Sequence, residues 1–471
     1  MILWGSLIVL AVLSTAAYRL GRRKAIRAGA GHSRPGYQGA YVTLWTAAPA
    51  AALLMLFVVT GSRIEQSLLT HNPPPAVAAM PAELAEKFYS DAHYIARGGT
   101  VDTSLYSAEL QTALTAKSEQ ARRNHGLLFG AVLMLAATLA LVGGAIALRR
   151  LSTTFRARNR VEGWVGGLLV ASSALAILTT VGIVASLAYE ALRFFGSVPP
   201  HEFLFGTEWS PQIAMRADQV AATGAFGALP LFAGTFLVMI IAMIVAAPIG
   251  LFSAIYLSEY ASRPVRSVVK PLLEILAGIP TVVYGFFAAL TVGPLFRAGF
   301  NALGAQLGGP LGDYLMQVQN QMALTAGVVM GIMLIPFVSS LSDDIINAVP
   351  QSLRDGSLAM GATQSETIKR VVLPAALPGV AGALLLAVSR AVGETMIVTM
   401  AAGLQAKLTV NPLETVTTVT VQIVTLLTGD QEFDSPKTLA AFGLGLTLFI
   451  VTLGLNLAAM RIVQKYREQY D

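Results

Sequence analysis

The chain has 471 residues, of which 55% are hydrophobic and only 12% charged, with a formal net charge of +6. Soluble globular domains carry about a quarter charged residues, so this composition excludes an ordinary soluble globule and predicts an all-α, polytopic transmembrane helical bundle. With no cysteine, disulfide frameworks, thiolate metal sites and thiol nucleophiles are excluded, and the five histidines, His32, His71, His93, His125 and His201, fall outside the strongest apolar runs.

A window of about 19 residues predicts nine spans. They are roughly Ile2 to Tyr18, Tyr41 to Thr60, Leu127 to Leu148, Trp164 to Leu187, Leu229 to Tyr256, Leu272 to Phe296, Met322 to Leu341, Leu377 to Ala401 and Leu439 to Met460. No basic residue precedes the first, and Arg19, Arg22, Arg23, Lys24, Arg27 and Arg34 follow it, which predicts an uncleaved anchor with its N-terminus outside. The connections expected on one side, together with the tail, hold 20 of the 32 Lys and Arg residues, so the positive-inside rule predicts that Asp471 is cytoplasmic and residues 61–125 external. That outer segment opens with His71-Asn-Pro-Pro-Pro75 and carries helical patterning from Pro81 to Arg97 and from Ser104 to Arg123, as a small helical cap would. The basic stretch Arg149 to Arg160 reads as a linker between an N-terminal extension of about three spans, residues 1–150, and a core of about six, residues 151–471. Basic residues flank apolar spans instead of forming an aromatic-studded domain, so the expected surroundings are membrane lipid and not nucleic acid.

In span six the Gly278-Ile-Pro280 break frees backbone groups that can line a cavity, which makes Thr281 and Tyr284 candidate pathway residues; ordinary helix contacts are the alternative. Glu259 and Glu274 are expected to pair in solvent with Arg263, Arg266 and Lys270, and Ser339, Ser340 and Ser342 to cap a helix end. Residues 342–376 form a polar, cytoplasmic stretch between spans seven and eight. It carries Asp355-Gly356-Ser357, then Gly361-Ala362, then Val371-Val-Leu373-Pro374. A helix ended by Gly361 can turn sharply and present a second short helix, Gln364 to Val371, to a groove on a partner, with Pro374 and Pro378 marking re-entry into the membrane. In span eight, Arg390 and Glu394 lie four residues apart and are expected on one helix face. A charge at that depth costs about 2.5 to 3.5 kcal/mol, so it needs a partner or a task. Arg390 contacting a crossing anion with Glu394 balancing it is one reading, and a structural ion pair between helices is the other.

The 355–374 spacing resembles the coupling loop E-A-A-x3-G-x9-I-x-L-P of binding-protein-dependent ABC importer permeases, with Asp for Glu and Gly-Ser for Ala-Ala. Phe205-Gly-Thr-Glu-Trp-Ser-Pro211, Pro248-Ile-Gly-Leu-Phe-Ser-Ala-Ile-Tyr-Leu-Ser-Glu-Tyr-Ala261, Leu276-Ala-Gly-Ile-Pro-Thr-Val-Val-Tyr-Gly-Phe286 and Ser389-Arg-Ala-Val-Gly-Glu-Thr-Met396 resemble the PstC-type permease of phosphate-specific ABC importers. The resemblance covers about residues 160–465 and leaves the role of the extension open. It implies a type I ABC importer permease core in a bacterial inner membrane, a PstA-type second permease, a PstB-type ATPase dimer, a PstS-type periplasmic phosphate-binding protein, and inorganic phosphate as cargo. It also implies substrate contact at Arg390 and Glu394. No Gly-Lys dipeptide occurs, so no Walker A loop is present and ATP and Mg are expected on the partner ATPase, with no cofactor in this chain. A permease for sulfate or molybdate is the near alternative. A stand-alone ion-coupled transporter or channel is the distant one, and it would not need the 355–374 docking pattern. No nucleophile, histidine and carboxylate set assembles in one compartment, which argues against an enzyme.

Overall fold

Long runs of Leu, Val, Ile and Ala fold as helices here because a helix satisfies its own backbone polar groups in an apolar medium. The computed structural model describes residues 2–29, 32–71, 73–78, 80–102, 106–211, 224–428 and 435–467. Asn72, Ser104 and Asp471, which entered the sequence expectations above, lie outside the described residues. In chain order the helices are α1 (Ile2–Arg27), α2 (Pro35–Thr70), α3 (Pro75–Ala78), α4 (Ala82–Ala96), α5 (Ala108–Arg150), α6 (Ala157–Ser197), α7 (Pro200–Phe205), α8 (Leu229–Ile255), α9 (Arg263–Gly278), α10 (Thr281–Phe287), α11 (Gly293–Leu307), α12 (Gly309–Met316), α13 (Ala323–Ala348), α14 (Gln351–Ala359), α15 (Gln364–Thr367), α16 (Leu373–Val392), α17 (Met396–Ala401), α18 (Val419–Leu427) and α19 (Pro436–Arg467). Wide π-helical turns interrupt or extend three of them, at Tyr256–Tyr260, Ala288–Val292 and Ile368–Val372. One short antiparallel ribbon pairs β1 (Trp209–Ser210) with β2 (Ala225–Phe226).

Eight helices among the described residues are long and apolar enough to cross a membrane. The fold is therefore a polytopic helical membrane protein, and α1 encloses the first of the nine expected spans. Two of the expected spans are displaced. Span six does not run from Leu272 to Phe296: α9 stops at Gly278, Ile279 is extended, and the membrane-length helix is Thr281–Leu307. Pro280 imposes the break, since it disfavours helical backbone in the residue before it and then starts the next helix. Span eight does not run from Leu377 to Ala401 but from Gln364 to Val392. Pro374 and Pro378 lie inside that helix instead of marking its start. The π turn places the Leu373 N–H on the Ile368 carbonyl, widening the ladder just where Pro374 has no N–H to offer.

The chain packs as two units, Met1–Leu178 and Thr179–Asp471. In the first, α2 and α5 have 36 and 43 residues, far longer than the roughly 20 that a bilayer needs, so both project beyond it. Their projecting ends enclose α4 around Leu69, Phe88 and Leu114, forming a helical cap. The expected second cap helix from Ser104 to Arg123 is not separate: no proline breaks it from span three, and both are α5. Glu65 is buried in this cap, with His125 Nδ1 2.7 Å, His93 Nε2 3.8 Å and Arg97 3.9 Å from its carboxylate. Burial first, then Arg97, lowers the His93 pKa against the opposing pull of Glu65.

In the second unit α13 is the central helix, with Leu334, Met330 and Val338 fully buried. It approaches α8 closely through glycines. A Cβ on Gly331 would stand 2.7 Å from the Val245 Cβ and 2.9 Å from the Ala242 carbonyl, and one on Gly327 would stand 2.6 Å from the Ile241 Cβ. Gly331→Leu is expected to lower the thermal unfolding temperature in detergent by overpacking worth about 1–3 kcal/mol. Gly299→Leu, where a Cβ meets nothing within 4 Å, is the control that should leave it unchanged. The segment after α17 folds over the N-terminus of α13, where the carbonyls of Glu414 and Pro412 accept the Ala323 and Leu324 amides.

Candidate functional site

The break at Ile279-Pro280, the C-terminal half of α13 and the end of α16 surround a cavity of about 300 Å³. Its polar wall is Arg390, Thr281, Ser339, Ser340, Lys270, Glu274 and Asp343, with Phe337 and Met333 among the apolar lining. Arg390 stands in the last turn of α16, its guanidinium carbon 5.6 Å from the Phe337 ring centroid. No carboxylate approaches it within 4.0 Å among the described residues. An arginine with five N–H donors facing a cavity, without an internal counter-ion, is suited to an anion that enters from outside.

The expected pairing of Arg390 with Glu394 does not occur. α16 ends at Val392 and Gly393 forms its cap, so the two residues do not share a helix face. Glu394 instead caps α17: its Oε1 accepts from the amides of Met396 at 3.1 Å and Ile397 at 3.4 Å. The partial positive charge of those free amides holds the carboxylate there. Tyr284 is likewise outside the cavity wall. Its ring is buried in the core around α13, and its hydroxyl donates to the Leu276 carbonyl at 2.9 Å, bridging the helix break. Of the four expected pathway residues, the cavity brings together Arg390 and Thr281.

Sequence reasoning missed the ion-pair cluster that brings Lys270 and Asp343 into this cavity wall. Asp343, 2% exposed, receives Arg266 Nη2 at 3.1 Å on both oxygens, Lys270 Nζ at 2.9 Å and Asn347 Nδ2 at 2.9 Å. Arg266 and Lys270 therefore pair with Asp343 and not with Glu259 or Glu274. The bond to Asp343 raises the Lys270 pKa, so the amine stays charged. Ser339 is 1% exposed and lines the cavity instead of capping a helix end. The available signal was the i, i+4 spacing of Arg266 and Lys270, which puts two cations on one face of α9.

The 342–376 elbow is built as a corner. α14 closes in a Schellman motif: the Gly361 amide donates to Leu358 and the Ala362 amide to Ser357, with Gly361 at φ +89°. Thr363 and Glu366 then form a capping box that starts α15. Ser357 and Thr367 hydroxyls meet at 2.9 Å across the corner. Asp355, on α14, accepts from Gln351 at 3.0 Å, while Gly356, Leu358 and Met360 are exposed. Leu373 and Pro374 begin α16 behind the π turn. Arg354 ties the corner to the membrane helices, donating to Glu259 at 3.0 Å and to the Ile346 and Val349 carbonyls. Glu259 is thus a largely buried partner of Arg354 and not a solvated one.

Residues 7–179 match the family model described as Phosphate ATP-binding cassette transporter, and residues 246–467 match Binding-protein-dependent transport system inner membrane component. Over 300 residues the chain is 33% identical to the probable ABC transporter permease protein YqgH of Bacillus subtilis, covering 63% of this chain and 89% of that one. Over 316 residues it is 33% identical to phosphate transport system permease protein PstC 1 of Mycobacterium tuberculosis, covering 64% and 92%. The PstC protein of Mesorhizobium japonicum is 31% identical over 297 residues, covering 60% and 84%. The chain belongs to the PstC family of ABC permeases. Membership places the elbow and the Arg390 cavity in the part of the chain that matches the inner-membrane component, residues 246–467, while the capped front unit falls in the other model.

Proposed function

We propose that this chain passes inorganic phosphate across a bacterial inner membrane as the PstC-type permease of an ATP-driven importer. The observation that carries the reading is Arg390, an arginine facing a polar cavity without a counter-ion among the described residues. Thr281, Ser339 and Ser340 add hydroxyls that can donate to phosphate oxygens as water is shed. The core, residues 151–471, pairs with a PstA-type permease, and residues 1–150 form an accessory extension whose cap stands outside. The exposed apolar corner at Leu358 and Met360, with Asp355, Gly356, Ser357, Gly361, Ala362, Leu373 and Pro374 shaping it, docks on a PstB-type ATPase dimer that holds ATP and Mg. A PstS-type protein delivers phosphate from the outer side, and the C-terminus is cytoplasmic.

The test is uptake of labelled phosphate by proteoliposomes carrying the four-component complex. ATP inside should drive uptake, and a tenfold excess of unlabelled sulfate should leave it intact. Uptake that proceeds without the ATPase, or that sulfate abolishes, overturns the reading.

A further inference from the structure

Lys270 and Asp343 stand in the wall of the Arg390 cavity as an ion pair, and Arg266 holds the same carboxylate from outside that lining. Lys270 and Arg266 converge on one buried carboxylate, Asp343, and Lys270 also stands 3.6 Å from Asp344. Both cations lie on α9, whereas Asp343 lies on α13 four residues after Ser339, so the cluster joins the cavity to the helix that leads into the elbow. The side chains of Lys270 and Arg266 remain about one-third exposed, 33% and 34%, while that of Asp343 is 3% exposed. The carboxylate is therefore fixed, while Lys270, in the cavity wall, and Arg266, outside that lining, keep exposed N–H donors. Asn347 also holds one Asp343 oxygen at 2.9 Å, so the carboxylate keeps a donor if a cation leaves.

An oxyanion that leaves Arg390 along this wall meets Lys270, whose present partner is another oxyanion of similar shape. A carboxylate and a phosphate present the same pair of acceptor oxygens to a guanidinium or an ammonium, so they compete for it. We infer that Lys270, backed by Arg266, forms a second phosphate station in the cavity wall, with Asp343 as a built-in competitor that keeps the station from holding its cargo. This inference rests on the phosphate-permease reading and adds an exit step to it. Phosphate transiently displaces Asp343 from Lys270, and Asp343 then reclaims the amine as phosphate departs.

A structural ion pair and a competing station differ in the sign of their mutants. Removing either partner of a structural pair injures the protein in the same direction. Removing the competitor should tighten phosphate at the station, and removing the cation should weaken it. The experiment uses proteoliposomes with the complete complex and internal ATP, the lumen standing for the cytoplasm, and measures how much unlabelled lumenal phosphate halves uptake of labelled phosphate. Asp343→Asn is expected to need about tenfold less lumenal phosphate than the parent, and Lys270→Met about tenfold more, the order of one charge-assisted hydrogen bond gained or lost. Lys270→Arg should stay within about twofold of the parent, since it keeps the charge and the donors. Arg266→Gln repeats the Lys270→Met arm should that variant fail to assemble, and Asp343→Ser repeats the Asp343→Asn arm. Shifts of the same sign at Asp343 and Lys270, or no shift at either, overturn the station while leaving phosphate import intact. A parent complex with no ATP-driven phosphate uptake overturns the permease reading itself, and the station with it.

Discussion

Arg390→Ala is expected to reduce ATP-driven phosphate uptake at least about 100-fold while leaving the amount of assembled complex unchanged. The two halves of that expectation have separate causes. Uptake falls because a planar guanidinium can give two parallel charge-assisted hydrogen bonds to phosphate, each worth about 1.5–3 kcal/mol, and alanine gives none. Assembly holds because the guanidinium contacts the Phe337 ring at 5.6 Å but bonds no carboxylate among the described residues, so its loss strands no buried partner. Arg390→Lys should fall between, with uptake down about tenfold, since an ammonium keeps the charge and loses the fork. Labelled-phosphate uptake, normalised to complex captured through the ATPase, checks both. An Arg390→Ala complex that imports phosphate at the parent rate would remove the cavity from the transport path.

Much of this architecture was legible because bilayer physics writes long signals. Apolar runs of about 20 residues located most membrane helices, and the glycine at 361 located the corner. The displaced spans share one physical origin. A hydropathy window averages over about 19 residues and cannot see a helix end, so it carried span eight through Gly393 and put Arg390 and Glu394 on one face. It likewise merged α9 with the helix beginning at Thr281, although Ile279-Pro280 marked a boundary in the sequence. Pairing was the other blind spot. Arg266 and Lys270 lie more than seventy residues from Asp343, as Glu259 lies from Arg354, and no local spacing reports which of several nearby charges wins a long-range partner. Tyr284 shows the converse: a polar residue next to a helix break suits a pathway, yet its hydroxyl repairs the break by bonding Leu276.

Arg354→Ala is expected to separate ATP hydrolysis from transport. The side chains of Arg354 and Glu259 are 12% and 11% exposed, and the guanidinium also satisfies the Ile346 and Val349 carbonyls at the end of α13. Truncating one partner of such a largely buried pair costs about 3–5 kcal/mol, because it leaves the other charge unpaired and takes a donor from each carbonyl. The cost falls on the corner and not on the cavity, since neither residue lines the cavity wall. α14 would then move independently of the Tyr256–Tyr260 turn, although Gln364 still donates to the Glu259 carbonyl. In proteoliposomes the phosphate imported per ATP hydrolysed should drop at least about tenfold, with ATP hydrolysis itself retained. Arg354→Lys should recover only part of the ratio, because one ammonium cannot reach Glu259 and both carbonyls together. If the ratio stays at the parent value in Arg354→Ala, force from the ATPase reaches the membrane helices by another route, of which the continuous run from Gln364 to Val392 is one.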